Sequence, residues 1–483
     1  MSKRIFGTEN EYSLVKKYPN GQFEAVRADS HLMPVMERAG SYETLRRYKV
    51  ISKTNNTTEK RFWLASNGGQ FYFDAVGQHS FPEYATPECD SARLAAIHDK
   101  AGERFVNEVR RVRSANISKE YGGSFLISKN TTFYGKDLED EVGYVGVHEN
   151  YMTKNLFNPH RTGTDVNQSD PSSSRFCDFF MPFLISRVVI HGGGGVRWSS
   201  DSGWHYVLSQ RAFAMKREID ISASSRPLIN FKQEHTPFNY SRLHLLYSDP
   251  NMSPFSSFLK LGATHLVLSA FEENPDICPP IRINNLLFYL CKFSKDTSLT
   301  ATAKDDASGR KYTAIQIQKE YLNIVLRTLK NLSQEEQKIV ELWAWTLEKL
   351  EENPEELYRH FDWVTKRHFL NLYLNKIKAD LSSAQARTFD FLYSDISENG
   401  FYNKLRSGGF VEKFITDEEI NAALFTPPPT RAFIRSRYLQ KIIDKGKTEW
   451  SADWHHLNIT PQFALSDPFA KENAELENFL VSL

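Results

Sequence analysis

Apolar and polar positions alternate early in the chain and take up helical spacing later. Ile5–Leu14 reads as a strand. Gln70–Asp74 (QFYFD) reads as another, entered through the turn Asn67-Gly68-Gly69. From Ser91 to Arg113, Leu94, Ile97, Ala101, Phe105 and Val109 recur on or near one helical face. Ser333 and Glu336 form a capping box ahead of Ile339, Leu342, Trp343, Leu347 and Leu350; that helix is expected to end by Asn353, before Pro354. Thr416 and Glu419 cap a short helix that stops before Pro427-Pro428-Pro429. The polar stretch Thr153–Arg175, with its serine run, predicts a loop, and Ala303–Arg310 a turn between strands. Strands lead and helices dominate the later half, which predicts an α+β fold with an antiparallel sheet. Gly408-Gly409 marks a boundary, giving a large domain over residues 1–408 and a small C-terminal module over 409–483.

Composition narrows the function classes. The 483 residues carry 60 basic and 59 acidic side chains, a formal charge of +1, which argues against a general nucleic-acid binder. Length alone suggests roughly three domains, although one large and one small domain fit equally well. The aromatic share of 13% argues against long disorder. No apolar run suits a signal peptide or a bilayer span. Cys89, Cys177, Cys278 and Cys291 are far apart and form no CxxC pair. The expectation is therefore reduced thiols in a cytoplasmic protein without a membrane or nucleic-acid role.

Four groups of residues suggest chemistry. Glu9 and Glu11, two apart in a strand, project from one face, and their mutual repulsion suits a hard dication such as Mg²⁺ or Mn²⁺. Asp74 closes an aromatic strand, a setting suited to a base or nucleophile, with Glu83 and Glu88 close behind. His148-Glu149 offers an imidazole beside a carboxylate for a metal shell. Arg211, Arg226 and Arg242 offer planar donors for phosphate, with His244 and Asp249-Pro-Asn251 following. Taken singly, each also fits an ordinary role: solubilising glutamates, a turn acid, a buried structural histidine, surface ion pairs. Gly446-Lys447-Thr448 imitates the end of a P-loop, but Lys441 stands where the first glycine belongs, and Gly192–Gly195 lacks GxGxxG spacing.

Together the segments RIFGTENEY, SNGGQFYFD, FPEYATPECD, VHENYM, LSQRA, SRLHLLYSDPNM, LKLGATHLVL, FDWVTKRHF, ITDEEINAA and TPPPTRA follow one another as in the Pup ligase and depupylase family. The resemblance runs from Arg4 to about Pro468. It implies a glutamine-synthetase-like domain, a curved antiparallel sheet backed by helices, with ATP and Mg²⁺ in its concavity and a small C-terminal domain. By position it implies Glu9, Glu11 and Glu83 as metal ligands and Asp74 as the catalytic aspartate. His148, Glu149 and His244 fall near metal and phosphate. Arg211, Arg226, Arg431 and Arg435 become phosphate contacts, and Trp454 an adenine-stacking aromatic. The family's ligase activates the C-terminal glutamate side chain of the small modifier Pup for attack by a lysine; its depupylase hydrolyses that bond.

The chain also departs from the family pattern. Gly7-Thr8-Glu9, Tyr393-Ser394-Asp395 and Asn399–Asn403 look depupylase-like, while the shortness of the segment between Tyr12 and Asn67 is shared with the ligase. Asn230-Phe231-Lys232-Gln233-Glu234-His235 stands where the family has Asn-Thr-Arg-Asp-Glu-Pro-His, and Ser253-Pro254-Phe255 replaces a family acid. Extra residues separate Asp74 from Pro82, and Thr153–Arg175 is expanded. Metal acids persist while acceptor-side residues change. The expected function is therefore a depupylase-like, ATP- and Mg²⁺-dependent phosphoryl-transfer enzyme with an altered acceptor. The alternatives are a Pup-type ligase or depupylase acting on a small disordered modifier, and a nucleotide-binding scaffold without turnover.

Overall fold

A nine-stranded sheet runs through the larger part of the molecule. In chain order its strands are β1 (Phe6–Glu11), β2 (Val50–Ser52), β3 (Arg61–Leu64), β4 (Gln70–Val76), β5 (His79–Ala85), β6 (Val147–Lys154), β7 (Arg217–Asp220), β8 (Pro227–Asn230) and β9 (Tyr240–Leu245). Their spatial order is β7-β8-β9-β6-β1-β5-β4-β3-β2. Every neighbouring pair is antiparallel except β7 with β8. The computed structural model describes residues 3–52, 60–76, 78–120, 122–134, 141–154, 171–234, 240–458 and 462–482.

The stretch expected as one strand over Ile5–Leu14 is two. β1 stops at Glu11, and Ser13–Lys17 joins a separate three-stranded sheet with Phe23–Ala25 and Ser124–Ser128. Tyr12 is the corner: its side chain is fully buried and its N–H donates to Pro82 O at 2.9 Å. The Ala303–Arg310 turn is found between the paired strands Thr302–Lys304 and Lys311–Thr313. Of the loop expected over Thr153–Arg175, residues 155–170 lie outside the described residues. Lys154 still belongs to β6, and the serine run opens a helix, Pro171–Ser186.

Helices cover one face of the sheet. α1 (Ala92–Glu120) begins where Glu335 accepts from Ala92 N at 2.9 Å, and buries the expected Ala101, Phe105 and Val109. α2 (Pro254–Glu273) packs beside it and is buried almost all round. Ser253 caps α2 and Pro254 occupies its first turn, where a missing N–H costs nothing. Ser253-Pro254-Phe255, one of the departures from the family pattern, is thus a helix start. α3 (Gln334–Glu352) packs on α2 and carries the capping box expected at Ser333 and Glu336. The box at Thr416 and Glu419 is present as well.

Most buried apolar residues form one large core that includes Val411, Ile415, Ile420 and Leu424. A smaller cluster joins Trp63 and Ala65 at the sheet edge to Ile434, Tyr438, Leu439 and Ile442 of α4 (Arg431–Asp444), with Trp450, Leu457, Phe463 and Leu480. Each fully buried aliphatic side chain there contributes roughly 1.5–3 kcal/mol, so the C-terminal segment is firmly docked. The P-loop imitation at Gly446–Thr448 follows the end of α4, where Gly446 takes φ 58°; it is a helix stop and not a phosphate cradle. Among the described residues no helix is long and apolar enough to cross a membrane.

Candidate active site

Strand periodicity assembles the site. In β1, Glu9 and Glu11 share a face, and Phe6, Thr8 and Asn10 take the other. Register carries that face across the sheet. Glu11 lies opposite Glu83 of β5, and Glu83 opposite Tyr72 of β4, which puts Asp74 next along. Glu9 lies opposite His148 of β6, and Asn150 opposite His244 of β9. Residues from five strands therefore meet on the face away from α1 and α2.

They form two groups. In the first, Glu9, His148 and His244 offer ligand atoms within 4.8 Å of one another. Glu9 Oε2 lies 3.2 Å from His148 Nδ1 and 3.6 Å from His244 Nε2. Its Oε1 accepts from Asn150 Nδ2 and Arg242 Nη2, each at 3.3 Å. Burial alone would raise the Glu9 pKa. The two histidine contacts and the Arg242 charge outweigh it and hold Glu9 well below the usual carboxylate range. Burial, aided by Arg242, pushes His244 down to about 3, so its ring is a neutral ligand.

In the second group, Glu11, Asp74 and Glu83 likewise lie within 4.8 Å of one another. Tyr72 Oη donates to Glu83 Oε1 at 2.6 Å, and Gly146 N donates to Glu11. Burial first, and then the charges of Glu11, Glu9 and Asp74, raise Glu83 well above its ordinary value. Burial and the adjacent Glu11 raise Asp74 to about 6. Two carboxylates at this separation repel by roughly 3–4 kcal/mol at an effective dielectric near 20. Three ionised pairs would cost about 10 kcal/mol, comparable to the whole stability of a domain. Either protons or a dication must compensate, and the donor set of three hard oxygens fits Mg²⁺ or Mn²⁺. Gly146 keeps the space open: a Cβ there would lie 3.0 Å from His148 Nε2 and 3.2 Å from both Arg211 Nη2 and Glu11 Oε2.

Arg211 is buried at this junction, its Nε donating to Leu246 O at 3.2 Å. Arg226, half-buried, lies over the Tyr144 ring at 5.9 Å and acts electrostatically on Arg211. A cavity lined by Phe6, Glu9, Glu88, Arg242, Arg431 and Trp454 opens beside the first group. Tyr72, Gly146 and Asn150 join the site although no motif singled them out, and Arg242, expected as a phosphate donor, is found on Glu9. Tyr72 and Asn150 each stand two positions from an expected site residue, Asp74 and His148, so the strand repeat points to them.

Two expectations need correction. Glu149 cannot join the His148 group, because adjacent strand residues face opposite ways. It is fully buried behind the sheet, bound by Arg187 Nη1 and Nη2 at 2.9 and 2.8 Å. Arg435 is not open to the cavity. Its guanidinium lies between Trp63 and Trp454, 4.8 and 4.9 Å from their rings, and donates to Glu88 and to Gly68 O. Arg431 Nε also binds Glu88, at 2.9 Å. Burial opposes ionisation of Glu88, yet the two arginines pull its pKa to about 2.

The family model for the Pup-ligase protein matches residues 4–458. The chain belongs to the Pup-ligase family. It is 31% identical to the Pup–protein ligase of Acidimicrobium ferrooxidans over 497 aligned positions, covering all of this chain and 99% of that one. It is also 31% identical to the Pup–protein ligase of Actinosynnema mirum, with both chains fully covered. Among solved structures it resembles the ligase PafA in its complex with Pup, the prokaryotic ubiquitin-like protein. There the TM-score is 0.81 at 26% identity, covering 99% of this chain and 92% of that one. PafA in complex with ADP matches with a TM-score of 0.75 at 26% identity, covering 95% and 94%. As a member of the Pup-ligase family the chain is an enzyme, and its fold is the mixed α/β arrangement of PafA.

Proposed function

We propose that the chain is an ATP-dependent ligase that joins a carboxyl group of a Pup-like modifier to a lysine of a target protein. The observation that carries this reading is the convergence of Glu9, Glu11, Asp74, Glu83, His148 and His244 on one sheet face beside a cavity. Full-length similarity to named Pup–protein ligases favours joining over the depupylase-like, altered-acceptor reading that the sequence suggested first. The substitutions behind that reading have local explanations. Ser253-Pro254 starts α2, and Lys232 is exposed and pairs with Glu234 at 2.5 Å. His235 lies outside the described residues.

In this reading Glu9, His148 and His244 would hold one Mg²⁺ or Mn²⁺, and Glu11 and Glu83, beside Asp74, would hold another; bound, such ions neutralise phosphate charge during transfer. Arg211 and Arg226 meet phosphate oxygens, while Arg431 and Trp454 wall the nucleoside cavity. The modifier's terminal glutamate carboxylate attacks the γ-phosphorus and ADP leaves. The target amine then attacks the acyl carbon, phosphate leaves, and Asp74 takes the amine proton. A carboxylate beside the reacting amine is the general base that this step needs. Four free cysteines suit a reducing, cytoplasmic setting. A small C-terminal unit beyond the large domain is supported by the second core cluster, which draws the boundary from residue 408 towards Pro427–Pro429.

The test is incubation with ATP, a small modifier ending in glutamate, and a lysine-bearing protein. The reading expects a conjugate larger by the modifier's mass, formed with ADP and phosphate and lost in Asp74→Asn. Cleavage of a ready-made conjugate without formation would establish the depupylase reading instead. ATP turnover on small metabolites alone would establish the altered acceptor.

A further inference from the structure

A third constellation lies outside the sheet, on the segment that carries Trp454. Asp453 Oδ1 accepts the N–H groups of His455 and His456 at 2.8 and 2.7 Å. This tight turn defeats the alternation that would send consecutive side chains to opposite sides. The two imidazole rings lie 4.0 Å apart, centre to centre. His456 Nδ1 stands 3.3 Å from Asp453 Oδ2, and His455 Nδ1 3.5 Å from Asp453 Oδ1. One ligand atom from each residue lies within 4.8 Å of the other two.

The two nitrogen–oxygen separations, each to a different Asp453 oxygen, lie near those a bound metal imposes. Bonds of about 2.0–2.1 Å to a tetrahedral dication place neighbouring ligand atoms roughly 3.4 Å apart. We infer that Asp453, His455 and His456 form a binding site for a d-block dication such as Zn²⁺, separate from the carboxylate-rich site on the sheet. Two imidazole nitrogens with a single carboxylate favour Zn²⁺, Co²⁺ or Ni²⁺ over Mg²⁺, and Glu9, His148 and His244 on the sheet offer the same donors, so a Zn²⁺ test has to tell the two groups apart. Side-chain exposures of 31–42% leave room for ion access and for water in the remaining coordination positions.

The site has a consequence for the cavity. Trp454 lies between two of the ligands, lines the cavity, and packs edge-on against Trp63 at 5.0 Å. An ion held by Asp453, His455 and His456 ties down the turn on both sides of Trp454 and fixes that wall. The small C-terminal unit would thereby make nucleotide affinity responsive to a second kind of metal.

Calorimetric titration of the full chain with ZnCl₂ tests this, in the presence of saturating Mg²⁺ and ADP to block the sheet site. The Zn²⁺ equivalent held at this turn is expected to weaken on the order of tenfold or more in His455→Asn/His456→Asn. It should persist in His148→Asn/His244→Asn, which separates the two sites even if ADP fails to bind. Binding that survives the first double variant and vanishes in the second overturns the inference, as does a wild-type chain without Zn²⁺ uptake. Should the first variant not fold, anomalous diffraction from wild-type crystals soaked in ZnCl₂ decides. A peak among the three side chains supports the site, and a blank map there overturns it.

Discussion

The two faces of the central sheet treat charge in opposite ways. Behind it, buried charges find partners. Arg187 holds Glu149 with two nitrogens, Lys129 lies 3.0 and 2.9 Å from Asp99 and Glu103, and Arg4 lies 2.8 Å from Glu272. In front, Glu11, Asp74 and Glu83 crowd together, and burial adds to their repulsion. Structure explains the first arrangement, because a buried ion needs a counter-ion. It does not explain the second, which lowers stability unless something positive arrives. An uncompensated surplus of one sign marks the working face, whereas the merely buried charge of the other face marks scaffold.

Substitutions on the two faces should consequently behave as opposites. Asp74→Asn should lower conjugation by about 10²–10⁴-fold, the usual worth of a general base, while raising the stability of the metal-free protein. Rates and urea midpoints measured side by side check both signs. Arg187→Met should do the reverse to stability, costing about 3–5 kcal/mol by stranding Glu149 in a dry interior. If Arg187→Met proves neutral in a urea melt, the back face is not the charge-paired scaffold described.

The pH dependence should differ as well. Asp74 and Glu83 have folded pKa values above their unfolded ones, so folding favours their neutral forms. Their stabilising effect is present below the ordinary carboxylate range and fades as pH rises through about 6 for Asp74. Urea midpoints without metal should fall between pH 5 and 7.5, and added Mn²⁺ should remove the fall. Glu88, held at about 2, does the opposite: its contribution is complete above its unfolded pKa and is lost only as pH drops towards 2. The smallest effect is expected from Tyr72→Phe. Losing its hydrogen bond to Glu83 should cost about 1 kcal/mol and weaken Mn²⁺ binding several-fold in a calorimetric titration.

Much of this was legible in the chain, and what was not has more than one cause. Glu9 with Glu11 followed from the strand repeat, and the helix starts at Ser333 and Thr416 from their capping boxes. The same repeat turns Glu149 away from His148 and brings in Tyr72 and Asn150. Register is another matter. That Glu83 faces Glu11, or that His244 comes to Glu9, depends on strand pairings across long sequence separations that local pattern does not encode. Arg435 was misread for a related reason. A guanidinium prefers phosphate, carboxylate and aromatic faces alike, and only tertiary packing shows that Glu88, Trp63 and Trp454 take it first. The corner at Tyr12 likewise arises from a neighbouring strand, through Pro82.

The most direct test of the charge surplus is anomalous diffraction from crystals soaked with Mn²⁺ and a non-hydrolysable ATP analogue. Two manganese peaks are predicted, one among Glu9, His148 and His244 and one among Glu11, Asp74 and Glu83, with the analogue's phosphates between them and Arg211. A well-ordered analogue bound elsewhere, with no manganese at either group, would contradict the account.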